Sequence, residues 1–225
     1  MNPTAPWSVV LFDLDGTIAD SARGITSTLS ETLLEMGRPV PSPAELLAFV
    51  GPPIMDGFAA LGLSPEESVD ALALYRARYS TRGAYDSEVF PGIPETLRAV
   101  VDAGLPIALA TSKPELQALR MLEHYGLDDL FVFVGGASED EVRSEKADVI
   151  AYVIDNLRTR KVDLANPVMV GDRIHDVEGA LANGLPVVFA EWGYGADVER
   201  AGSIASAADP AALQDILLRG VRAVA

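Results

Sequence analysis

Two aspartates, Asp13 and Asp15, stand two residues apart in Phe12-Asp-Leu-Asp-Gly-Thr17, directly after the apolar run Val9-Val-Leu-Phe12. If that run is a strand, both carboxylates lie beyond its carboxyl end, where open parallel sheets hold their ligands. One is then placed to act as a nucleophile and the other as a general acid and base, and Gly16 permits the tight turn that aims both at one point. A plain Asp-Gly turn closing a strand is the alternative. An EF-hand loop is excluded, because the glycine comes at the fourth position rather than the sixth.

A second pair of acids, Asp172 and Asp176, follows in Met169-Val-Gly-Asp-Arg-Ile-His-Asp176. Four residues apart, they share a face if a helix has begun. Their mutual repulsion asks for a cation, and oxygen donors suit Mg²⁺ that keeps part of its water shell. Two acids complementing a helix N-terminus are the alternative. Thr111-Ser112-Lys113 follows the run Ile107–Ala110, and Lys146 opens a helical pattern. Hydroxyls, helix-start amides and ammonium groups are what a phosphate group requires. Ser112 also has capping-box spacing to Glu115, and a helix lysine is commonly solvated. Yet of 17 basic residues only three are lysines, and Lys113 and Lys146 both stand at strand-to-helix positions. His124 reads as a mid-helix packing or surface residue, and His175 lies between the second pair of acids.

The elements that must position these residues can be read from patterning. Continuous apolar runs at Val9–Phe12, Ile107–Ala110, Phe131–Val134, Val168–Val170 and Val187–Phe189 suit strands buried on both faces of a parallel sheet. Helical patterns over Pro94–Ala103, Pro114–Tyr125, Lys146–Leu157 and Val177–Asn183 separate them, and Gly104, Gly126 and Gly184 end three of these. Asp209-Pro210 opens a last helix that Gly220 closes. This order predicts an α/β, Rossmann-like, doubly wound parallel core. Residues 20–86 lack a strand candidate and carry at least three helical patterns, two of them opened by the capping boxes Ser42–Glu45 and Ser64–Glu67. The expected division is a core of residues 1–19 and 87–225 with a helical cap at 20–86.

Charge and composition narrow the function. The 225 residues carry 33 acids against 17 bases, a net charge of −16 at pI near 4.4, with 49% hydrophobic residues and no cysteine. That is globular composition without disulfides or thiolate chemistry, and it disfavours a nucleic-acid polymer or a membrane as partner. The N-terminal stretch 1–7 does not read as a signal peptide, and no apolar run reaches the ~18–20 residues of a membrane span. A cytoplasmic protein is expected. No Gly-x-Ser-x-Gly elbow, no Walker loop and no Gly-x-Gly-x-x-Gly after the first strand occurs, which disfavours a serine hydrolase and ATP or dinucleotide binding by those devices.

In order and spacing, Asp13-x-Asp15-Gly-Thr17, Thr111, Lys146 and Gly171-Asp172-x-x-x-Asp176 resemble the four motifs of the haloacid dehalogenase superfamily of aspartate-nucleophile phosphatases. The helical insertion resembles that family's cap. Gly171-Asp-Arg-x-His-Asp-Val-x-Gly179 followed by Trp192-Gly-Tyr-Gly195 is similar to the phosphoglycolate phosphatase-like group, whose close relatives include 5′-nucleotidases. The resemblance implies that Asp13 attacks phosphorus and that Asp15 protonates the leaving alcohol and later deprotonates water. It implies phosphate binding by Thr111, Ser112, Lys146, Gly16 and Thr17. It implies Mg²⁺ held by Asp13, the Asp15 carbonyl and Asp172, with Asp176 acting through water. Lys113, His175 and Arg173 are accessory candidates, and Gly51-Pro52-Pro53 resembles a cap loop facing the site. The implied partner is a small phosphorylated metabolite. Four acids, Glu139, Asp140, Glu141 and Glu145, precede Lys146 where relatives are less acidic, and are expected to face water. The alternatives are a phosphotransferase or mutase serving a sugar or protein hydroxyl, a receiver-like signalling domain, which the length and cap disfavour, and a non-catalytic binding module.

Overall fold

The computed structural model describes residues 6–220; residues 1–5 and 221–225, which include most of the N-terminal stretch 1–7, lie outside them. The strands are β1 (Val9–Phe12), β2 (Ala19–Asp20), β3 (Glu88–Val89), β4 (Ile107–Pro114), β5 (Phe131–Ala137), β6 (Pro167–Gly171), β7 (Val187–Ala190) and β8 (Ala205–Ala207). Six of them make one parallel sheet in the order β5-β4-β1-β6-β7-β8, while β2 and β3 pair antiparallel apart from it. The chain winds outward from β1 through β4 to β5, then returns to β6 on the opposite side. The direction of winding therefore reverses at β1, and a crevice opens at its carboxyl end. Asp13 is the first residue past that end.

Between β2 and β3 lie α1 (Ala22–Glu35), α2 (Pro43–Leu46), α3 (Ile54–Ala60) and α4 (Pro65–Tyr79). Both expected capping boxes form: the Ser42 and Ser64 amides each donate to the glutamate three residues on, at 2.8 Å. Leu29 and Leu33 of α1 and Ala71, Tyr75 and Tyr79 of α4 are buried in the same apolar cluster as Phe12 and Val170 of the sheet, so the insertion packs onto the core.

The remaining helices are α5 (Ile93–Asp102), α6 (Glu115–Tyr125), α7 (Lys146–Thr159), α8 (Ile174–Ala182) and α9 (Pro210–Arg219). Strand side chains alternate between faces. Val10 and Phe12 pack with Leu97, Met121 and Leu213 of α5, α6 and α9, whereas Val9 and Leu11 meet Val149, Val153 and Val177 of α7 and α8. Truncating Phe12, which is fully buried, costs about 3–5 kcal/mol by loss of transfer energy and creation of a cavity.

Four features differ from the sequence reading, the first being the antiparallel pair of β2 and β3, where no strand was expected. β4 continues through Thr111-Ser-Lys to Pro114, so α6 starts at Glu115 and Ser112 does not cap it. α8 begins at Ile174 rather than Val177, drawing Asp176 into its first turn. The short β8 was not anticipated, since Ala-Ser-Ala carries no β-branched or aromatic signal. Among the described residues, no helix is long and apolar enough to cross a membrane.

Candidate active site

The carboxyl ends of β1, β4 and β6 bring the expected residues into one crevice. Asp13, Asp172 and Asp176 are buried, and one oxygen from each lies within 4.8 Å of the others. Lys146, the first residue of α7, reaches among them. Its Nζ stands 2.7 Å from Asp13 Oδ1 and 2.7 Å from Asp176 Oδ1, and donates to the Ala110 carbonyl at 3.2 Å. The two contacts are buried ammonium–carboxylate pairs, which tie Asp13 and Asp176 to one cation.

Burial is the dominant electrostatic influence. It raises the Asp13 pKa from 3.8 to about 6, against the lowering effect of Lys146 and with a further rise from Asp176. Burial, followed by Asp176 and Asp13, pushes Asp172 well above the usual carboxylate range. Burial works against the Lys146 ammonium, but Asp13 and Asp176 outweigh it and raise its pKa.

Asp15 occupies a different environment from Asp13. Its Oδ1 accepts from Ser21 Oγ at 2.6 Å, and its Oδ2 pairs with Lys113 Nζ at 2.8 Å. Lys113 in turn donates to the Tyr79 hydroxyl of α4 at 2.9 Å and lies 4.6 Å from that ring's centre. The insertion thus touches the second aspartate through a lysine.

Asp172 is held by its surroundings. Thr17 Oγ1 donates to its Oδ1 at 3.1 Å, and the Tyr194 amide donates to its Oδ2 at 2.8 Å. The Gly16 amide closes its turn onto the Ala19 carbonyl at 2.9 Å. Gly16 has φ +87°, and a Cβ there would stand 2.3 Å from Asp172 Oδ2; a Cβ on Gly193 would meet the same carboxylate at 2.3 Å. The first motif and the Trp192–Gly195 segment therefore close around Asp172 from two sides, and the Trp192 indole donates to the Thr17 carbonyl at 3.1 Å.

The other expected residues are placed as follows. Thr111 Oγ1 accepts from the Lys113 amide at 3.3 Å, and Ser112 Oγ is buried without a partner. Asp176 Oδ2 accepts from the Arg173 amide at 3.0 Å. The Arg173 side chain turns away from the carboxylates, donating through Nη1 to the Val50 carbonyl at 2.7 Å and through Nε to Glu199 at 3.0 Å. Among the described residues, His175 has a buried Nδ1 without a partner and forms no ion pair with its flanking aspartates. His124 stacks edgewise on Tyr85.

A cavity of about 340 Å³ lies between insertion and core, lined by Asp15, Lys113, Gly51 and Pro52 among others, while Pro53 caps α3. The expectation that the acids before Lys146 face water holds only in part. Glu139 and Glu141 line this cavity, Glu141 pairs with Arg76 of α4, and Arg76 also donates to the Glu139 carbonyl at 3.0 Å. Arg76 offsets the acidity that the loop would otherwise present. Asp140 instead accepts from its own loop, at Ser138 and Val142. Sequence reasoning missed Tyr79 and Arg76, because each lies in the insertion and acts on a residue of the distant core, and Ser21, which meets Asp15 from six residues further on.

A parallel sheet that opens at β1 onto a floor of carboxylates and lysines, with helices above it, places the molecule among the Rossmann-like α/β proteins. More particularly, the chain belongs to the haloacid dehalogenase-like hydrolase family, whose model matches residues 10–190. It is 44% identical over 187 residues to the tyrosine-protein kinase PtkA of Mycobacterium tuberculosis, covering 83% of this chain and 63% of that protein. The chain thus spans less than two thirds of that relative's length. It is 35% identical to a 5′-nucleotidase of Pseudomonas aeruginosa, covering 84% of this chain and 85% of the relative. It is 33% identical to a phosphoglycolate phosphatase of Rhodospirillum rubrum, covering 92% and 90%. Among solved structures, a predicted phosphatase from Clostridium acetobutylicum superposes with TM-score 0.85 at 33% identity, covering 93% of this chain and 98% of that one.

Proposed function

We propose that the protein is a Mg²⁺-dependent phosphatase that hydrolyses a small phosphomonoester through an aspartyl phosphate on Asp13. The observation that carries this reading is the separation of two neighbouring aspartates into different environments. Asp13 sits with Lys146 and two further carboxylates, while Asp15 sits with Lys113 and Ser21 at the cavity wall. Titratable neighbours held in unlike surroundings take unlike roles.

The donor set fits the metal. Asp13, Asp15, Asp172 and Asp176 against Lys113 and Lys146 leave a surplus of two negative charges, which one divalent ion matches. Hard oxygen donors suit Mg²⁺, which Asp13, Asp172 and the Asp15 carbonyl would hold, with Asp176 in support. When bound, the ion offsets the carboxylate charge that would repel a phosphate dianion.

An Asp13 carboxylate oxygen attacks phosphorus, the bond to the leaving oxygen breaks, and Asp15 gives that oxygen its proton. Water then attacks the same phosphorus, Asp15 takes its proton, and the bond to Asp13 breaks to release inorganic phosphate. Thr111, Ser112 and Lys146 bind the phosphoryl oxygens as charge redistributes. The insertion acts as a cap that encloses the leaving group.

A second reading, transfer to a tyrosine hydroxyl in place of water, is favoured by the mycobacterial relative that bears the name of a tyrosine-protein kinase. Release of inorganic phosphate from an aryl phosphate, with and without Mg²⁺, separates the two. The phosphatase reading expects release that needs Mg²⁺ and is lost in Asp13→Asn. Release that begins only when a second hydroxyl compound is added would put transfer in its place.

A further inference from the structure

The cavity beneath the cap is roomier than a two-carbon leaving group requires, and two polar side chains on its lining hold atoms without hydrogen-bond partners among the described residues. Its 340 Å³ falls within the range of about 300–1,000 Å³ typical of small-molecule sites. Asp15 lines it. Under the proposed reaction, on which this inference rests, this is the space where the leaving alcohol lies. Phe49, Ile54, Leu72 and Tyr75 of the cap and Leu116 of α6 make one apolar and partly aromatic wall.

Set into that wall is Gln117, in the first turn of α6. It is 9% exposed and lines the cavity; its Nε2 is buried without a hydrogen-bond partner among the described residues, and a half-turn of the amide brings that nitrogen to the cavity. Ser112 Oγ, 7% exposed on the same lining, is likewise without one. Arg120, three residues along α6 from Gln117, adds an exposed cation to the lining. Buried polar atoms are paired as a rule in folded proteins. A site that holds an unmet donor selects ligands able to meet it, because a ligand lacking the acceptor leaves that donor buried and unpaired.

We infer that Gln117 is a specificity-determining residue whose amide donates to an acceptor on the leaving group. The substrate class is phosphate monoesters of alcohols or phenols with an aromatic or branched apolar body and a hydrogen-bond acceptor on that body.

The test measures kcat/KM with Mg²⁺ for benzyl phosphate, its 3-acetyl and 4-acetyl derivatives, adenosine 5′-monophosphate and 2-phosphoglycolate. The proteins are wild type, Gln117→Leu and Gln117→Glu. Wild type is expected to work best on one of the acceptor-bearing aromatic esters. Gln117→Leu lowers that value by about tenfold or more while benzyl phosphate stays within about twofold, which also shows that the variant is folded. Gln117→Glu, nearly the same shape but unable to donate, loses at least as much relative to benzyl phosphate. A preference for 2-phosphoglycolate in wild type, equal losses on benzyl phosphate and the best ester, or full activity in Gln117→Glu each overturns the inference while leaving the phosphatase reading standing. Absence of turnover by wild type on every ester overturns that reading and the inference with it.

Discussion

Removing the charge from Asp13 should stabilise the metal-free protein at neutral pH while abolishing its chemistry. Two effects compete at this residue. Burial disfavours the ionised carboxylate, and the Lys146 ammonium 2.7 Å away favours it. Burial prevails, since the pKa is raised from 3.8 to about 6. The folded protein then holds a proton on Asp13 in a pH range where the unfolded chain has lost it. The resulting stability is complete below about pH 4 and is lost as pH rises through about 6. A rise of that size corresponds to about 3 kcal/mol, and Asp13 is 2% exposed, so solvent screening takes little from it. In chelator at pH 7.5, Asp13→Asn should therefore exceed wild type by up to about 3 kcal/mol, or roughly 6–12 °C in a chain of this length. At pH 4.5 the gap should shrink to about 1 kcal/mol. Urea melts at both pH values, with chelator and again with Mg²⁺, supply the comparison. Added Mg²⁺ should narrow or reverse the gap, because the ion gives the wild-type carboxylate a partner that the amide cannot match. An Asp13→Asn protein less stable than wild type in chelator at pH 7.5 would refute the reasoning, by showing that the Lys146 pair outweighs burial.

Three further substitutions probe separate parts of the site. Gly193→Ala puts a methyl group 2.3 Å from the Asp172 side chain and should cost about 1–3 kcal/mol together with Mg²⁺-dependent activity, checked by melts and phosphate release; a fully active variant would show that Asp172 has room to move. Tyr79→Phe keeps the ring stacked on Tyr75 but removes the hydroxyl that meets Lys113, so kcat should fall about tenfold with little change in Tm. That fall should be larger for esters with poor leaving groups, whose departure depends most on Asp15. Arg173→Ala frees the Val50 carbonyl and Glu199, loosening the cap beside Gly51, and should raise KM by about tenfold with a smaller effect on kcat; steady-state kinetics decide, and an unchanged KM would detach Arg173 from the cap's placement.

What could be read from the sequence, and what could not, divides along physical lines. Runs such as Val9–Phe12 and Val187–Phe189 are apolar at every position because both faces of their strands are covered, and that signal is local. The capping boxes at Ser42 and Ser64 are equally local, as is the placement of Asp13, Lys146 and Asp172 at element ends. β8 escaped because its three small residues gain their strand geometry from pairing with β7 rather than from intrinsic preference. The head of α8 was placed late because Asp172–Asp176 carries a site pattern that masks the helical one. The direction of Glu141 and the reach of Tyr79 were invisible for a different reason. Each is decided by a partner 65 or 34 residues away, across the join between the helical insertion and the sheet. Contacts of that kind depend on how the cap docks, and no local pattern encodes them.

The claim on which the proposed function depends is that phosphorus becomes bonded to Asp13. It is tested most directly by quenching the enzyme in acid during turnover of an aryl phosphate, reducing any acyl phosphate with borohydride and sequencing the peptides by mass. Conversion of residue 13 to homoserine, dependent on substrate and absent from Asp13→Asn, is the predicted result. Reduction at another carboxylate, or continued phosphate release by Asp13→Asn, would contradict it.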